Sequence, residues 1–450
     1  MNLSYNFLKM VLRPGWFPEN TPGQQIVFDQ IFQIIEKNYK QFGYTHIHTP
    51  AVEANKVLLA KNGEDAGKQI FWLYGLAQGN EDTKDYSLHF DLTVPFARYI
   101  LDRENELTFP FKRYQIQPSW RGERNQRGRF KEFFQADIDV IRRDEPGKDY
   151  TYYDAEVIFD LWKTVIDILK FIWISETPLV QINNRKVIVN LLQEMFWSPD
   201  MAYKVMNLVD RLDKIWKENF ELSLTDLWIS KGKIKELYSF LDMDITVDSI
   251  DGLKKLSQNP EFLKWVEELK TVISYLEIFK KSFGVDINCK VDTKIIRWLD
   301  YYTWTVFEFV LENDKWLGTV CGWGRFDNLT GHIDPKKKNY SWVGWSIGLS
   351  RLAFKIFEKG LVNADQKTIS DCLFLHFDKT FGDIAKLASA FTQEWKNIEI
   401  YPIADKLDKQ FSYADKKWIP HVVILGSEEK EKWVYKIKNM KSWNEEEISL

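Results

Sequence analysis

Three segments with an alternating pattern place charged and amide side chains where they would share one face of a sheet. Asp91 and Thr93 alternate with apolar residues in the first segment, and Arg121 continues the polar set of the second. Gln135 and Asp139 follow the same alternation in the third. Carboxylates and amides suit a small ligand rich in hydrogen-bond donors, whereas arginine suits bidentate contact with carboxylate or phosphate. The pattern predicts a binding face, with a self-satisfied network of ion pairs on a solvated face as the alternative.

The elements that must position these residues are three predicted strands, over residues 88–94, 112–121 and 134–140. Pro95 is expected to begin a helix directly after the first strand. The loop over residues 122–129, GERNQRGR, joins the other two strands and adds further arginines. We therefore predict an antiparallel sheet with one apolar face and one polar face.

The chain ahead of this sheet predicts a helix over residues 21–42 and then an extended stretch over residues 45–53. Thr21 as N-cap, with Gln24 three residues later, forms a capping box. Pro50 interrupts the extended stretch, as an edge strand tolerates.

The rest of the chain predicts a change of architecture at each end of a helical region. Residues 153–285 are rich in Lys, Glu, Leu and Ile and show no series of strands. Strand patterns return at residues 305–311 and 317–321, and the run over residues 343–357 contains glycines and leads into a helix. After a linker near residues 363–367, apolar strands alternate with amphipathic helices, which is typical of a mostly parallel sheet.

Composition limits the class of protein. The 450 residues carry 61 Lys and Arg against 65 Asp and Glu, a formal charge of −4, so a polyanion would need a local basic patch. Cys289, Cys321 and Cys372 lie far apart, which argues against disulfides and a cysteine-ligated zinc site. The most apolar stretch, residues 165–174, is too short to span a bilayer. We expect a soluble, unexported protein of a reducing cytoplasm, with no membrane partner.

At this point the motifs show a family resemblance. The run from Arg121 through Glu123 to Arg129 and Phe133 resembles motif 2 of class II aminoacyl-tRNA synthetases. The segments DLTVPFARY, RWLDYYTWTVFEF and SIGLSRL resemble segments of histidyl-tRNA synthetases, in the same order. The resemblance covers almost the whole chain, including the C-terminal part.

The resemblance implies a role for particular residues. The histidine-binding residues would be Asp91, Thr93, Arg121, Gln135, Asp139, Arg297, Tyr301 and Tyr302. The ATP-binding residues would be Arg121, Glu123, Arg129 and Arg351. Of these, Arg121 and Arg297 would be the catalytic pair at the α-phosphate, and the ligands of a metal ion stay unknown.

The resemblance also implies the reaction and the domain organisation. ATP and Mg²⁺ would activate L-histidine as an adenylate, and the histidyl group would pass to tRNA(His) in a homodimeric, cytoplasmic enzyme. A class II α/β catalytic domain would comprise residues 1–180 and 286–362, with a helical insertion at 181–285 and a mixed or parallel α/β anticodon-binding domain at 368–450. The alternative is a non-catalytic, histidine-sensing regulatory subunit related to the synthetase.

Tryptophan is unusually frequent, with 19 residues beside only 22 glycines. Ten tryptophans stand where the resemblance would place glycine, among them the CGWGR segment, which should form a turn beside the substrate. They are Trp16, Trp298, Trp304, Trp316, Trp323, Trp342, Trp345, Trp418, Trp433 and Trp443. We hypothesise that the codon UGA, written here as Trp, encodes glycine in the source organism.

Overall fold

The computed structural model describes residues 14–60, 69–73, 85–123, 127–145, 148–210, 212, 216–295, 304–313, 321–327, 329–337, 339–394 and 396–450. The chain forms two compact units. The first comprises Ile34–Lys355 with the chain up to Pro18, and the second comprises Glu19–Gln33 with Ile356–Leu450. Within the described ranges no helix has the length and apolar character needed to cross a membrane.

The described part of the chain contains the following helices and strands, numbered in chain order. The helices are α1 (Pro22–Gln41), α2 (Asn55–Leu58), α3 (Thr93–Arg103), α4 (Thr151–Phe171), α5 (Arg185–Phe196), α6 (Pro199–Val209), α7 (Lys217–Asp226), α8 (Lys231–Leu241), α9 (Pro260–Phe283), α10 (Leu329–Ile333), α11 (Leu349–Glu358), α12 (Phe381–Gln393), α13 (Leu407–Lys417) and α14 (Ser427–Glu431). The strands are β1 (Thr45–His46), β2 (Val52–Ala54), β3 (Trp72–Leu73), β4 (Tyr86–Leu88), β5 (Phe111–Trp120), β6 (Glu132–Arg143), β7 (Leu179–Asn184), β8 (Ile245–Thr246), β9 (Asn288–Val291), β10 (Thr305–Val310), β11 (Cys321–Arg325), β12 (Tyr340–Gly348), β13 (Cys372–Phe374), β14 (Ile398–Ile400), β15 (His421–Ile424), β16 (Val434–Asn439) and β17 (Glu445–Ser449).

The first unit is built on a nine-stranded sheet of order β1-β5-β6-β12-β11-β10-β7-β9-β8. Its six central strands, from β5 to β7, pair antiparallel with one another. Parallel pairs occur only towards the edges, between β1 and β5 and between β7 and β9. The predicted antiparallel sheet is therefore confirmed.

The apolar face of this sheet is covered by helices. In α1, the capping box forms as predicted: the Thr21 N–H donates to Gln24 Oε1 at 3.0 Å, and the Gln24 N–H donates to Thr21 Oγ1 at 3.4 Å. Tyr39 of α1 is fully buried and lies 5.9 Å, ring to ring, from Tyr114 of β5. Alternation along β5 places Tyr114 on this face and its polar neighbours on the other.

The predicted strand over residues 88–94 is wrong. The strand β4 ends at Leu88 and joins a small three-stranded sheet, and α3 begins at Thr93 rather than at Pro95. His89, Asp91 and Thr93 are as buried as Leu92 and Val94. Polar and apolar side chains are equally buried in this segment. Their alternation therefore does not indicate a strand with one exposed and one covered face.

The prediction that residues 153–285 contain no strands is also wrong. Strand β7 is an inner strand of the large sheet, and β8 lies at its edge. No glycine or proline marks the end of β7; Asn184 ends it and caps α5, accepting a hydrogen bond from the Lys186 N–H at 3.0 Å. A short strand that passes directly into a helix N-cap lacks the turn signals on which the prediction relied.

One smaller expectation near the glycines is corrected, and another agrees with the structure. The segment CGWGR forms strand β11 instead of a turn. The run over residues 343–357 divides into the end of β12 and the helix α11, which begins at Leu349. Residues 317–320 of the other predicted strand lie outside the described residues.

The second unit contains a five-stranded sheet of order β14-β13-β15-β16-β17. Its first three strands are parallel, and the last two pair antiparallel. The sheet is mixed because β16 pairs antiparallel with β15, and β17, which the sequence pattern did not predict, adds a second antiparallel pair. Leu373, Phe374 and Val422 fill its core.

Candidate functional site

The polar face of β5, β6 and β12 carries the candidate site. The β5–β6 register sets Arg113, Gln115 and Gln117 opposite Asp139, Asp137 and Gln135. The β6–β12 register sets Gly344, Ser346 and Gly348 opposite the same three β6 residues. Because residues two apart share a face, the strands bring Gln135 and Asp139 together as alternation predicted.

Asp139 forms a buried ion pair with Arg113. Arg113 Nη2 lies 2.5 Å from Asp139 Oδ2, and neither side chain is more than 3% exposed. The guanidinium also covers the ring of Phe96, with 4.3 Å to the centroid, and Nη1 donates to Gln115 at 3.0 Å. The pair therefore holds Asp139 in a fixed position on the sheet.

Gly344 makes room for the Asp139 carboxylate. A Cβ at this position would lie 1.8 Å from Asp139 Oδ1, closer than any real contact. The absence of a side chain on β12 is thus required by the carboxylate on β6.

Two buried acceptor atoms beside this pair have no hydrogen-bond partner within the described part of the chain. They are Gln135 Oε1 and Asp137 Oδ1. The Gln135 amide is oriented by its other end, since Nε2 donates to Ser346 Oγ at 3.0 Å. Buried acceptors without partners are costly. A ligand that offers N–H donors would remove this cost.

Burial also shifts the titration of the carboxyl groups. It raises the pKa of Asp137 to about 7, against the opposing effect of Arg113. It raises the pKa of Asp139 well above its ordinary value, although Arg113 favours the charged form. The negative charge of Asp137 also raises the pKa of Asp139, and that of Asp91 raises the pKa of both, so a cation placed beside these carboxyls would favour their ionisation.

Asp91 lies near the same charges, but it is held by a helix rather than a strand. Its Oδ1 accepts a hydrogen bond from the Val94 N–H at 3.1 Å, at the N-terminus of α3. Burial raises the pKa of Asp91, while Arg121, His89 and Arg113 lower it. Thr93 is the first residue of α3 and is buried. Asp91 therefore caps a helix and contributes charge to the polar face at once.

Arg121 follows the end of β5 and is the centre of a second group of charges. Its Nε donates to the Phe90 carbonyl at 2.9 Å, and its guanidinium lies 5.0 Å from the ring of Phe133. Glu123 lies between two arginines, 3.9 Å from Arg121 and 3.1 Å from Arg129. These side chains are partly exposed, so a ligand can reach them.

Arg351 is the third residue of α11. Partial burial lowers its pKa, and the positive charge of Arg129 lowers it further. Two arginines that repel each other beside a helix N-terminus suit an anion such as a phosphate.

Three predicted site residues, Arg297, Tyr301 and Tyr302, lie outside the described residues. No group of three or more His, Cys, Asp or Glu side chains that could hold a metal ion occurs in the ranges given above.

Several residues of the polar face were not among the predicted ligands, and the ones that shape the surroundings of Gln135 and Asp139 are Arg113, Asp137, Gly344 and Ser346. Alternation within each strand puts Arg113 among the polar residues of β5 and Asp137 between Gln135 and Asp139 on β6. Both could therefore have been predicted from the sequence. Gly344 and Ser346 become neighbours of Asp139 and Asp137 only because β6 pairs with β12, and these two strands are far apart in the sequence.

Comparisons with known proteins agree along the whole chain. Residues 19–352 match the model of the histidyl-tRNA synthetase family, and residues 374–450 match an anticodon-binding domain. Histidine–tRNA ligase from Clostridium tetani is 37% identical over 99% of this chain and 97% of its own length. The same enzyme from Finegoldia magna is 36% identical over 98% of both chains.

Solved structures show the same fold. Histidyl-tRNA synthetase from Nostoc sp. PCC 7120 superposes with a TM-score of 0.85 at 30% identity, covering 98% of this chain and 97% of that one. A Bacillus halodurans protein described as an ATP phosphoribosyltransferase regulatory subunit/histidyl-tRNA synthetase has a TM-score of 0.70 at 20% identity, covering 90% and 96%. At that identity the second likeness concerns the fold alone.

Proposed function

Because the chain belongs to the histidyl-tRNA synthetase family, a class II aminoacyl-tRNA synthetase family, we propose that it charges tRNA(His) with L-histidine at the expense of ATP. The observation that carries this proposal is the pair of buried, unpartnered acceptors, Gln135 Oε1 and Asp137 Oδ1, beside the Arg113–Asp139 pair. Histidine offers an ammonium group and an imidazole N–H, which are the donors that such a face requires.

Histidine binds on the polar face of the sheet. Asp91, Gln135 and Asp139 accept hydrogen bonds from the ammonium group and the imidazole, and Thr93 borders the pocket at the start of α3. The support is their burial and their shared electrostatic surroundings. Arg297, Tyr301 and Tyr302 complete the pocket by the family resemblance alone.

ATP binds at the group of charges beyond the end of β5. Arg121 contacts the histidine carboxylate and the α-phosphate, and Glu123 accepts from the adenine amino group. Arg129 and Arg351 hold the γ-phosphate. Their mutual repulsion supports this assignment, because an anion between them relieves it.

The reaction needs no nucleophile from the protein. The histidine carboxylate attacks the α-phosphorus in line and pyrophosphate leaves. The 3′-terminal hydroxyl of the tRNA then attacks the carbonyl carbon of the adenylate, so that the histidyl ester forms and AMP and the hydroxyl proton are released. Arg121, with Arg297, stabilises the negative charge that develops on the α-phosphate. Mg²⁺ would enter with the phosphates of ATP as part of that substrate.

The domain bounds and the assembly belong to the same proposal. Residues 1–180 and 286–362 form the catalytic domain, 181–285 the insertion, and 368–450 the domain that contacts the anticodon. The protein acts in the cytoplasm, where its substrates are, as a homodimer formed through the region of α1 and the extended stretch after it. The helix that begins near Thr21 and the extended stretch that contains Pro50 resemble motif 1 of class II aminoacyl-tRNA synthetases, and this resemblance supports the dimer.

The test of the proposed function is charging of tRNA. Purified protein, ATP, Mg²⁺ and labelled histidine should give acid-precipitable histidyl-tRNA with tRNA(His) and none with tRNAs of other specificity. Other amino acids should not replace histidine. Absence of charging with folded protein would contradict the proposal.

A further inference from the structure

Seven tryptophans adopt a left-handed backbone conformation. They are Trp16, Trp173, Trp197, Trp228, Trp418, Trp433 and Trp443, with φ between 53° and 70°. In the described part of the chain, every residue other than glycine with a positive φ is one of these tryptophans.

This conformation is unsuited to tryptophan. In the left-handed region the Cβ of an L-residue crowds the backbone, so glycine is the usual occupant. The other residues that adopt it are mostly Asn and Asp, whose short polar side chains bond locally. Neither occurs in this set, and one bulky aromatic residue type occurs seven times. Chance placement of tryptophan does not explain this selection.

The helix ends of the chain provide matched comparisons. At Gly43, Gly284 and Gly360, the glycine N–H donates to the carbonyl three residues earlier, and the next N–H donates five residues back. Trp173, Trp228 and Trp418 make the same two hydrogen bonds at the ends of α4, α7 and α13. This paired bonding is the Schellman motif, whose left-handed position is usually glycine. The tryptophans therefore stand at glycine positions of a well-defined motif.

Burial of the indole ring gives almost no stabilisation at three of these positions. Trp173, Trp197 and Trp228 are 89%, 89% and 95% exposed. By contrast, Trp120 has a partly buried ring whose Nε1 donates to Glu132 at 2.7 Å, and its φ is not positive. A large aromatic side chain is normally placed where burial stabilises the protein. At Trp173, Trp197 and Trp228 no such burial offsets the backbone cost.

We infer that the native residue at all seven positions is glycine, and that the codon rendered as tryptophan in the sequence is decoded as glycine in the cell that makes this protein. The inference rests on backbone conformation and does not depend on the proposed function. It is consistent with the composition, in which 19 tryptophans accompany 22 glycines, whereas glycine is ordinarily about 7% of residues.

A positive φ identifies a different set of tryptophans from the ten positions at which the family resemblance would place glycine. Trp16, Trp418, Trp433 and Trp443 belong to both sets, and three helix-end positions, Trp173, Trp197 and Trp228, are new. Trp304, Trp342 and Trp345 have no positive φ, so backbone conformation does not assign them. Trp298 and Trp316 lie outside the described residues, and Trp323 belongs to strand β11.

Tandem mass spectrometry of the full chain, purified from its source cells, tests the inference. Peptides spanning the seven positions should contain glycine, and the peptide spanning Trp120 should contain tryptophan as the internal control. The codons at the seven positions should all be UGA. Tryptophan in any of the seven peptides would overturn the inference, whatever the enzyme's activity.

A second measurement tests the physical premise on recombinant protein. The triple variant Trp173→Gly/Trp197→Gly/Trp228→Gly should raise Tm by roughly 2–5 °C. The reverse change, Gly284→Trp, places the same residue at a left-handed helix end with nothing within 4 Å of its Cβ, and should lower Tm. A triple variant with unchanged or lower Tm would refute the conformational argument.

Discussion

The balance of charge on the polar face explains why a cationic amino acid would bind there. Asp91 raises the pKa of Asp137 and Asp139, Asp137 raises that of Asp139, and Arg113 and Arg121 are the cations that oppose these effects. Arg113 is already paired with Asp139. One further positive charge, which the ammonium of histidine supplies, would compensate the remaining carboxyl groups.

The raised pKa of Asp137 predicts how stability depends on pH. The folded protein holds a proton on Asp137 up to about pH 7, whereas the ordinary pKa is 3.8, so between these values the folded state binds more protons than the unfolded chain. The contribution of this group to stability is therefore lost as pH rises from about 4 to 7. Asp137→Asn should stabilise the histidine-free protein by a few kcal/mol at pH 8, since each pKa unit corresponds to about 1.4 kcal/mol.

Denaturant unfolding of both proteins at pH 5 and pH 8 measures this difference. The stabilisation by Asp137→Asn should be larger at pH 8 than at pH 5. Asp102→Asn, which changes a carboxyl group that is 56% exposed, is the control and should show little dependence. An equal effect of Asp137→Asn at both pH values would contradict the assignment.

Arg113 is expected to position Asp139 for histidine. Arg113→Met leaves the Asp139 carboxyl without its buried partner, and we expect the KM for histidine to rise at least about tenfold, with a smaller change in the KM for ATP. Arg103→Met removes an exposed arginine of α3 that pairs only with neighbouring Glu106 in the described contacts, and should change neither. Equal changes of both KM values by Arg113→Met would refute a role specific to histidine.

Part of this site could be predicted from residue types and spacing. Strict alternation along β6 correctly indicated that Gln135 and Asp139 share a face, because a strand repeats every two residues. Alternation could not indicate that Asp91 lies just before α3 and accepts a hydrogen bond from its first turn, since a carboxylate there and a carboxylate on a strand have the same local sequence appearance. It also could not show that Asp139 pairs with Arg113.

At the scale of elements, the close pairing of β6 with β12 is the feature on which the site depends. Gly344→Ala adds a Cβ that would meet Asp139 Oδ1, and must displace either the carboxylate or the strand. We expect the KM for histidine to rise by at least about tenfold. Gly232→Ala, in α8, meets nothing closer than 4.0 Å and should leave kinetics unchanged.

Steady-state kinetics of the two alanine variants, with Tm measured in parallel, make this comparison. If Gly344→Ala bound histidine as tightly as the unaltered protein, the close fit between Gly344 and Asp139 would have no functional meaning.

The elements that local signals define were predicted well, and those that tertiary contacts define were not. The helix α1 carries its own capping box, so its start was predictable. Strand β7 owes its position to pairing with β10 and β9, which follow it by more than a hundred residues. A short strand stabilised by such distant partners leaves little trace in its own sequence.

For the whole molecule, the sequence predicted the two types of sheet but not the order of the strands within them. An antiparallel sheet followed by a smaller mixed α/β unit is confirmed. The order of nine strands results from pairings between distant segments, which no local pattern specifies.

The proposed assembly can be tested in solution. Size-exclusion chromatography with light scattering should give twice the 53.5 kDa mass of the chain. A mass that stays at one chain at micromolar concentration would exclude the homodimer without bearing on the chemistry of the site.

Histidine-dependent exchange of labelled pyrophosphate into ATP tests the central claim most directly, because it requires only the adenylate-forming step. We predict exchange with L-histidine, none with other amino acids, and a loss of about 100-fold or more in Arg121→Ala. A folded protein that binds histidine yet catalyses no exchange would contradict the account and indicate a histidine-sensing subunit instead.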